Sequence, residues 1–315
     1  MMRFLPFVLS CLLVLSLVPS APAATTKKSS DSTTTEKAST KSSSTSKTSS
    51  KSKPTTKAPP KNLPEPPAAA DEKGVPVVSA GSAIVVDAAT GNVLHAINAD
   101  QRRPVASTQK LLTALIVAES GNLDEKIRVV ASDTWAEPTK LYIKPGDVYS
   151  RYDFLNILLV HSMNDVARAL ARDNAGSLEA FAERMNARAA QMGMHQSNFV
   201  NPNGLPAPDQ YSTARDMARL ALYAYRNRTL RGIMNQKSIS FRYADGRVRS
   251  FDNTNRVLRS FGPCNGMKTG TTDAAGRCLI SSASYGGRDV IVVVLGDNSN
   301  VWKDSYRLLA WGLSS

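Results

Sequence analysis

Ser107-Thr108-Gln109-Lys110 sets a hydroxyl and an amine three residues apart, on one face and within one turn of any helix that carries them. A serine hydroxyl is a weak nucleophile until a base takes its proton, and a lysine amine is such a base when its surroundings lower its pKa. Leu111, Leu112, Leu115 and Ile116 make the segment around Lys110 apolar enough to do so. At a helix start, Ser107 also lies beside free backbone N–H groups that can stabilise developing negative charge. Taken alone, the pair equally describes a helix cap followed by a solvated lysine. The same spacing recurs at Ser44/Lys47 and Ser50/Lys53, in a stretch with no structure to exploit it.

Two further elements carry chemistry. Ser162-Met163-Asn164 offers a hydroxyl and an amide between two expected helices, although Asn164 before Asp165 also reads as a helix cap. Lys268-Thr269-Gly270, after Gly266-Met267, puts a cationic head and a glycine on an expected strand, where backbone-level recognition of an extended anionic peptide needs them.

The elements that must position these residues follow from patterning. Ala83–Asp87 and Val93–Ile97 flank the turn-forming Ala89-Thr90-Gly91-Asn92 and predict a β-hairpin. Ser107 to Ser120 carries Leu111, Leu112, Leu115, Ile116 and Ala118 at helical spacing and stops before Gly121-Asn122, which predicts a mostly buried helix. Further helices are expected over Phe154–Val160, Asp165–Asp173, Leu178–Met192 and Thr213–Tyr225, the last opened by a Thr213/Asp216 capping box. Strands are expected over Ser238–Tyr243, Val248–Phe251, Asn265–Thr269, Cys278–Ser284 and Val290–Leu295, and a closing helix over Trp302–Trp311. Strands at both ends with helices between them predict an α+β domain whose antiparallel sheet recruits edge strands from its N-terminal part.

The rest of the chain bounds where that domain works. Residues 1–23 begin Met-Met-Arg, continue as the apolar run Phe4–Val18 and end in Ala21-Pro22-Ala23, the pattern of a cleaved secretory signal peptide. An uncleaved signal anchor is the alternative; Val8-Leu9-Ser10-Cys11 resembles a lipoprotein box, but the apolar run continues past Cys11. Residues 24–75 are nearly all Ser, Thr, Lys, Ala and Pro, with ten Lys against five Asp and Glu, and read as a disordered basic tether. Residues 76–315 form the expected catalytic domain. The net charge of +13 is spread between tether and domain without a basic helix or aromatic-interleaved patch, so nucleic acid is not an expected partner. Three histidines, none spaced with a cysteine as metal ligands are, support no metal site, and nothing in the sequence asks for a cofactor. Cys264 and Cys278 fall on the two arms of one expected hairpin, as separate buried thiols or as a bridge set by a register the sequence leaves open.

The order Ser-x-x-Lys, Ser-x-Asn, Lys-Thr-Gly is the signature set of penicillin-binding proteins and β-lactamases. From about residue 80 to 313 the chain resembles the low-molecular-mass penicillin-binding proteins, the serine D-Ala-D-Ala carboxypeptidases. The likeness extends to Pro104-Val105-Ala106-Ser107, Asn201-Pro202-Asn203-Gly204-Leu205, Ser212-Thr213-Ala214-Arg215-Asp216, Asn253-Thr254-Asn255 and Gly266 to Thr272. It implies a β-lactamase-like fold, a five-stranded antiparallel sheet with helices on both sides. It further implies export to the periplasm or cell-wall space, peptidoglycan stem peptides as substrate and β-lactams as covalent inhibitors. Carried over by residue, Ser107 is the nucleophile and Lys110 its base. Ser162 relays a proton to the leaving D-alanine, and Asn164 orients Lys110 and binds the substrate amide. Lys268 and Thr269, with Gly270 beside them on the strand, hold the terminal carboxylate, and the N–H groups of Ser107 and Thr271 form the oxyanion hole.

This chain departs from many relatives at Gln109, where they have Thr, and at Gln210, where they have His. Sequence for the β-rich second domain and C-terminal amphipathic anchor of some relatives is not seen. Class A β-lactamases need a glutamate on a loop after the second motif, and Asn198–Asp209 contains none, which argues against efficient β-lactam hydrolysis. A D,D-endopeptidase uses the same machinery on cross-links and stays open as an alternative, as does a non-catalytic wall-binding module, against which the intact motifs argue. The Lys-rich tether is expected either to draw the enzyme to anionic wall polymers or to act as a solvated spacer.

Overall fold

The computed structural model describes Asp71 and residues 74–315. The expected signal peptide, residues 1–23, and nearly all of the expected tether lie outside the described residues. In chain order the elements are β1 (Ala80–Asp87), β2 (Val93–Ile97), α1 (Lys110–Glu119), β3 (Lys126–Arg128), β4 (Val148–Ser150), α2 (Arg151–His161), α3 (Asn164–Ala175), α4 (Leu178–Gln191), α5 (Ala214–Arg226) and α6 (Arg228–Met234). Then follow β5 (Ser238–Arg242), β6 (Val248–Asp252), α7 (Val257–Ser260), β7 (Cys264–Gly266), β8 (Thr269–Thr272), β9 (Gly276–Tyr285), β10 (Arg288–Asp297) and α8 (Val301–Ser314).

The central sheet is antiparallel, in the order β2-β1-β10-β9, with β7 and β8 both lying along the outer edge of β9. Period-2 alternation buries both of its faces. Ile84, Val86, Ile280, Ile291, Val293 and Leu295 face the helical layer. Ala83, Val85, Leu279, Val290, Val292 and Val294 face Leu308, Leu309 and Leu313 of α8. On the helical side α1 is the hub, touching α2, α3, α4, α5 and α6. Its residues from Lys110 to Val117 are all buried, as suits a helix apolar on every side. Among the described residues no helix is long and apolar enough to cross a membrane.

Two expectations need correction, the strand count of the sheet and the capping box of α5. The sheet has six strands, not five, because its β7/β8 edge breaks at Met267, whose φ is +98°. The register nevertheless runs on unshifted from Gly266↔Ser282 to Thr269↔Leu279, and Lys268 and Ile280 exchange backbone bonds of 3.0 and 2.9 Å across the break. β5 and β6 pair only with each other, since Phe241 and Phe251 are their only buried residues and a place inside the sheet would require two apolar faces. Thr213 caps α5 by accepting from Asp216 N, but Asp216 does not close a capping box; its carboxylate accepts from Gln196 N, Ser197 Oγ and Arg219.

Cys264 and Cys278 are free, buried thiols. Cys264 pairs with Ala283 and Cys278 with Gly270, and the two side chains pack in cores on opposite faces of the sheet, so no bridge between them is possible.

Candidate active site

Ser107 and Lys110 meet because of a local departure from α-helix geometry. Ala106–Gln109 form a 3-10 turn, and α1 begins only at Lys110. In a 3-10 turn positions i and i+3 eclipse, which brings Lys110 Nζ to 2.6 Å from Ser107 Oγ. The cap reading does not survive: Ser107 makes no capping bond, and Lys110, far from solvated, is fully buried.

Lys110 Nζ has two further partners, Asn164 Oδ1 and the Asn203 carbonyl, both at 2.7 Å. A neutral amine has two N–H donors and one lone pair. The two carbonyl-type oxygens can only accept, so they take both donors, and the lone pair is left for the Ser107 hydroxyl. Burial drives the Lys110 ammonium well below the usual lysine range, the Lys268 cation adds to this, and Asp165 opposes it. When Lys110 is charged, its third N–H goes to Ser107 Oγ, whose own proton can turn to the Asn203 carbonyl at 3.3 Å. Both protonation states are therefore accommodated without rearrangement.

Asn164 is the first residue of α3, where it makes no cap; its Nδ2 donates to the carbonyls of Glu137 and Pro138 at 2.9 and 3.0 Å, which fixes Oδ1 toward Lys110. Two residues earlier Ser162 ends α2 in the left-handed region, at φ 71° and ψ 32°, and its Oγ accepts from Lys268 Nζ at 2.9 Å. Lys268 also donates to Thr269 O at 2.9 Å; burial pushes its pKa down to about 7. Of the six non-glycine residues with positive φ among the described residues, Ala106, Ser162 and Met267 fall within or directly before the three motifs, while Asn98, Tyr142 and Asp209 lie elsewhere. Such backbone is disfavoured by about 1–3 kcal/mol per residue and persists where the surroundings over-determine it.

The third motif lies on a free sheet edge. Lys268 exchanges both bonds with Ile280, and in an antiparallel ladder bonded pairs alternate. The N–H and C=O of Thr269 and Thr271 therefore point away from β9, into the cleft. Gly270 lets this edge close on the 3-10 turn ahead of α1: a Cβ there would lie 2.7 Å from Ser107 N and 2.8 Å from Thr108 N. A cavity of about 450 Å³ opens at this contact, lined among others by Ser107, Ser162, Thr254, Thr269 and Thr271; at its rim Arg259 is paired with Asp252 at 2.9 Å, and Arg256 leaves the rim net cationic. The structure thus gathers Ser107, Lys110, Ser162, Asn164, Lys268, Thr269, Gly270 and Thr271 around one cleft.

Several participants carry no sequence signal of a role. Asn203 contributes through its carbonyl, so the turn signature Asn201-Pro202-Asn203-Gly204 marks a loop but not its contact with Lys110. Asp165 is buried and accepts from Leu141 N, Tyr142 N and Val166 N at 2.8–3.0 Å, holding the connection between β3 and β4 against the start of α3. Thr254 Oγ1 pairs with Thr269 Oγ1 at 2.7 Å and fixes that hydroxyl in the cleft.

Comparison with known proteins agrees in kind. Residues 69–299 match the sequence model of a family described as D-alanyl-D-alanine carboxypeptidase. The chain is 36% identical to the D-alanyl-D-alanine carboxypeptidase DacC of Escherichia coli (strain K12), with 78% of this chain and 65% of that one covered; it thus spans just under two thirds of that relative's length. It is 33% identical to the D-alanyl-D-alanine endopeptidase of the same organism, with 78% and 80% covered. The solved D-alanyl-D-alanine carboxypeptidase from Mycobacterium tuberculosis H37Rv superposes with a TM-score of 0.74 at 29% identity, over 76% of this chain and 93% of that one.

Proposed function

Since this chain belongs to the D-alanyl-D-alanine carboxypeptidase family, we propose that it removes the terminal D-alanine from peptidoglycan stem peptides through an acyl-enzyme on Ser107. The observation that carries the reading is the set of three partners around Lys110 Nζ, which leaves a lone pair of low proton affinity facing Ser107 Oγ. Ser107 Oγ attacks the penultimate D-alanine carbonyl while its proton passes to Lys110. The N–H groups of Ser107 and Thr271 take the oxyanion. Collapse breaks the C–N bond, and the departing amine takes the Ser162 proton. The proton that Lys110 took from Ser107 passes to Ser162 in its place, which returns Lys110 to the neutral amine while Lys268, donating to Ser162 Oγ, keeps its own proton. Water activated by neutral Lys110 then hydrolyses the ester. The substrate lies as an added strand on the β8 edge, its carboxylate held by Lys268, Thr269 and the cationic rim.

Fluorescent penicillin should label the protein, and Ser107→Ala should lose both the label and D-alanine release. Labelling that persists in that variant would remove Ser107 from the mechanism, and a wild type that never labels would leave a wall-binding module. The likeness to the E. coli endopeptidase, of which this chain covers 80%, supports a second reading in which the leaving group is a cross-linked stem peptide. Mass spectrometry of muropeptides after incubation separates loss of one D-alanine from scission of a cross-link.

For the residues ahead of the domain we read 1–23 as a signal peptide and 24–75 as a basic tether that draws the enzyme to anionic wall polymers. Deleting 24–75 should leave turnover of a soluble peptide unchanged and weaken sedimentation with isolated walls. That difference should fade above about 0.3 M salt as screening shortens; equal, salt-insensitive sedimentation leaves only a spacer.

A further inference from the structure

Lys110 aims its lone pair at Ser107 only while the Asn203 carbonyl occupies one of its N–H groups, so whatever fixes that carbonyl sets the reacting geometry. Asn203 lies outside every strand and helix, in the loop between α4 and α5. Two glutamines hold that loop, together with Thr113, whose Oγ1 donates to Pro202 O at 2.7 Å. Gln210 Oε1 accepts from Val200 N and Asn201 N, each at 3.1 Å, and Gln210 Nε2 donates to Leu205 O at 2.7 Å, so one side chain ties both ends of the segment together. Gln109, next to Lys110 and fully buried, donates from Nε2 to Asn201 O at 2.6 Å and to Gln210 Oε1 at 3.3 Å. Asn201 Oδ1 passes the constraint inward by accepting from Asn203 N and Gly204 N at 3.3 and 2.8 Å. Gly204, at φ +83°, lies so close to the Ser107 turn that a Cβ would meet Ala106 O at 2.1 Å, which leaves the loop no slack.

Gln109 Oε1, by contrast, is buried with no partner among the described residues. A half-satisfied buried amide is destabilising. The stranded oxygen offsets part of what the Nε2 bond to Asn201 O contributes to stability, so the distinctive gain from a glutamine here is the aim of that bond at the loop.

We infer that Gln109 and Gln210 are positioning residues for acyl transfer, locking residues 200–205 so that the Asn203 carbonyl meets Lys110 Nζ and leaves its lone pair on Ser107. The inference rests on the reading of Lys110 as the base. It acts through Lys110, so it should move the pH dependence as well as the rate: an ammonium that loses the Asn203 acceptor is less stable, and the pKa of Lys110 falls further.

The test is Gln109→Met, which keeps length and apolar character while removing both Nε2 and the stranded Oε1. Acylation by fluorescent penicillin should fall about 10-fold, and its acid limb should move to lower pH by about one unit, the loss of one hydrogen bond to a charged group. The melting temperature should stay within about 3 °C of wild type, a split between stability and rate that a structural role does not give. Gln210→Met should shift the limb the same way, and the double variant should lose little more than the larger single loss, because both act on one loop. Wild-type acylation in Gln109→Met overturns the inference, as does a rate that falls only with the folded fraction while the limb stays fixed. If the wild type is labelled and Lys110→Ala acylates at the wild-type rate, the base reading fails and takes the inference with it. A labelled wild type, a dead Lys110→Ala and unchanged glutamine variants overturn the inference alone.

Discussion

Gly270→Ala tests whether the cleft depends on close backbone approach between β8 and the Ser107 turn. An added Cβ would lie 2.7 Å from Ser107 N, 2.8 Å from Thr108 N and 3.0 Å from Ala106 Cβ, whereas ordinary contact begins at 3.4 Å. The edge strand must therefore retreat from the serine by about 0.7 Å, and no flexible side chain can give way, because the nearest atoms are backbone. Overpacking of this kind destabilises a fold by about 1–3 kcal/mol. The kinetic effect is larger, since Thr271 N–H and Ser107 N–H must converge on one oxygen and a misplacement near 1 Å costs about 100-fold. Acylation by fluorescent penicillin, followed in stopped time points on protein whose melting temperature is known, should slow by about 10- to 100-fold. Gly232→Ala is the control: it lies in α6 with nothing within 4 Å of the added methyl, so it should stabilise by about 0.5–1 kcal/mol and leave acylation alone. A Gly270→Ala protein that acylates within twofold of wild type would refute the argument that this contact sets the oxyanion geometry.

Lys268, held down at about pH 7 by burial, must be charged to attract a carboxylate, so kcat/KM for carboxylate-terminated peptides should fall as pH rises above about 7. Analogues with an amidated terminus should lack that limb, and Lys268→Ala should erase the difference; an equal limb for both would mean that Lys268 does not read charge. Asp165→Asn removes a charge that raises the pKa of Lys110, so the acid limb of acylation should move to lower pH. Unfolding by urea should find that variant about 1–3 kcal/mol less stable, because one backbone N–H clamp is lost. For the cysteines, a reducing agent should leave the melting temperature unchanged, and native Cys264 and Cys278, buried and pushed up to about 11, should resist maleimide until the protein unfolds.

The main elements were legible because each states its environment in its own residues. Val290–Leu295 is apolar without interruption, as a strand covered on both faces must be, and α1 is apolar on every side, as a central helix must be. The exposed hairpin of β5 and β6 was legible as two strands but not in its place, because two pairing strands look alike whether or not a sheet lies beside them. α6 has seven residues, too few turns for a period to show.

At the site the division is sharper. Side-chain chemistry is written in the sequence: a hydroxyl and an amine at i and i+3, a second hydroxyl with an amide, and a lysine before a glycine on a strand name the reacting groups in order. What those groups can do depends on contacts between residues far apart in the chain. Lys110 owes its low proton affinity to burial, and the direction of its lone pair to Asn164 and to a backbone carbonyl some ninety positions away. A backbone carbonyl is the same in every residue type, so no sequence pattern could have nominated Asn203, nor told Gln109 and Gln210 from any other pair of amides. Composition and spacing determined which atoms react; only the tertiary structure decided which of them would be dry, aligned and short of a proton, because burial and direction belong to the packed chain and not to any residue in it.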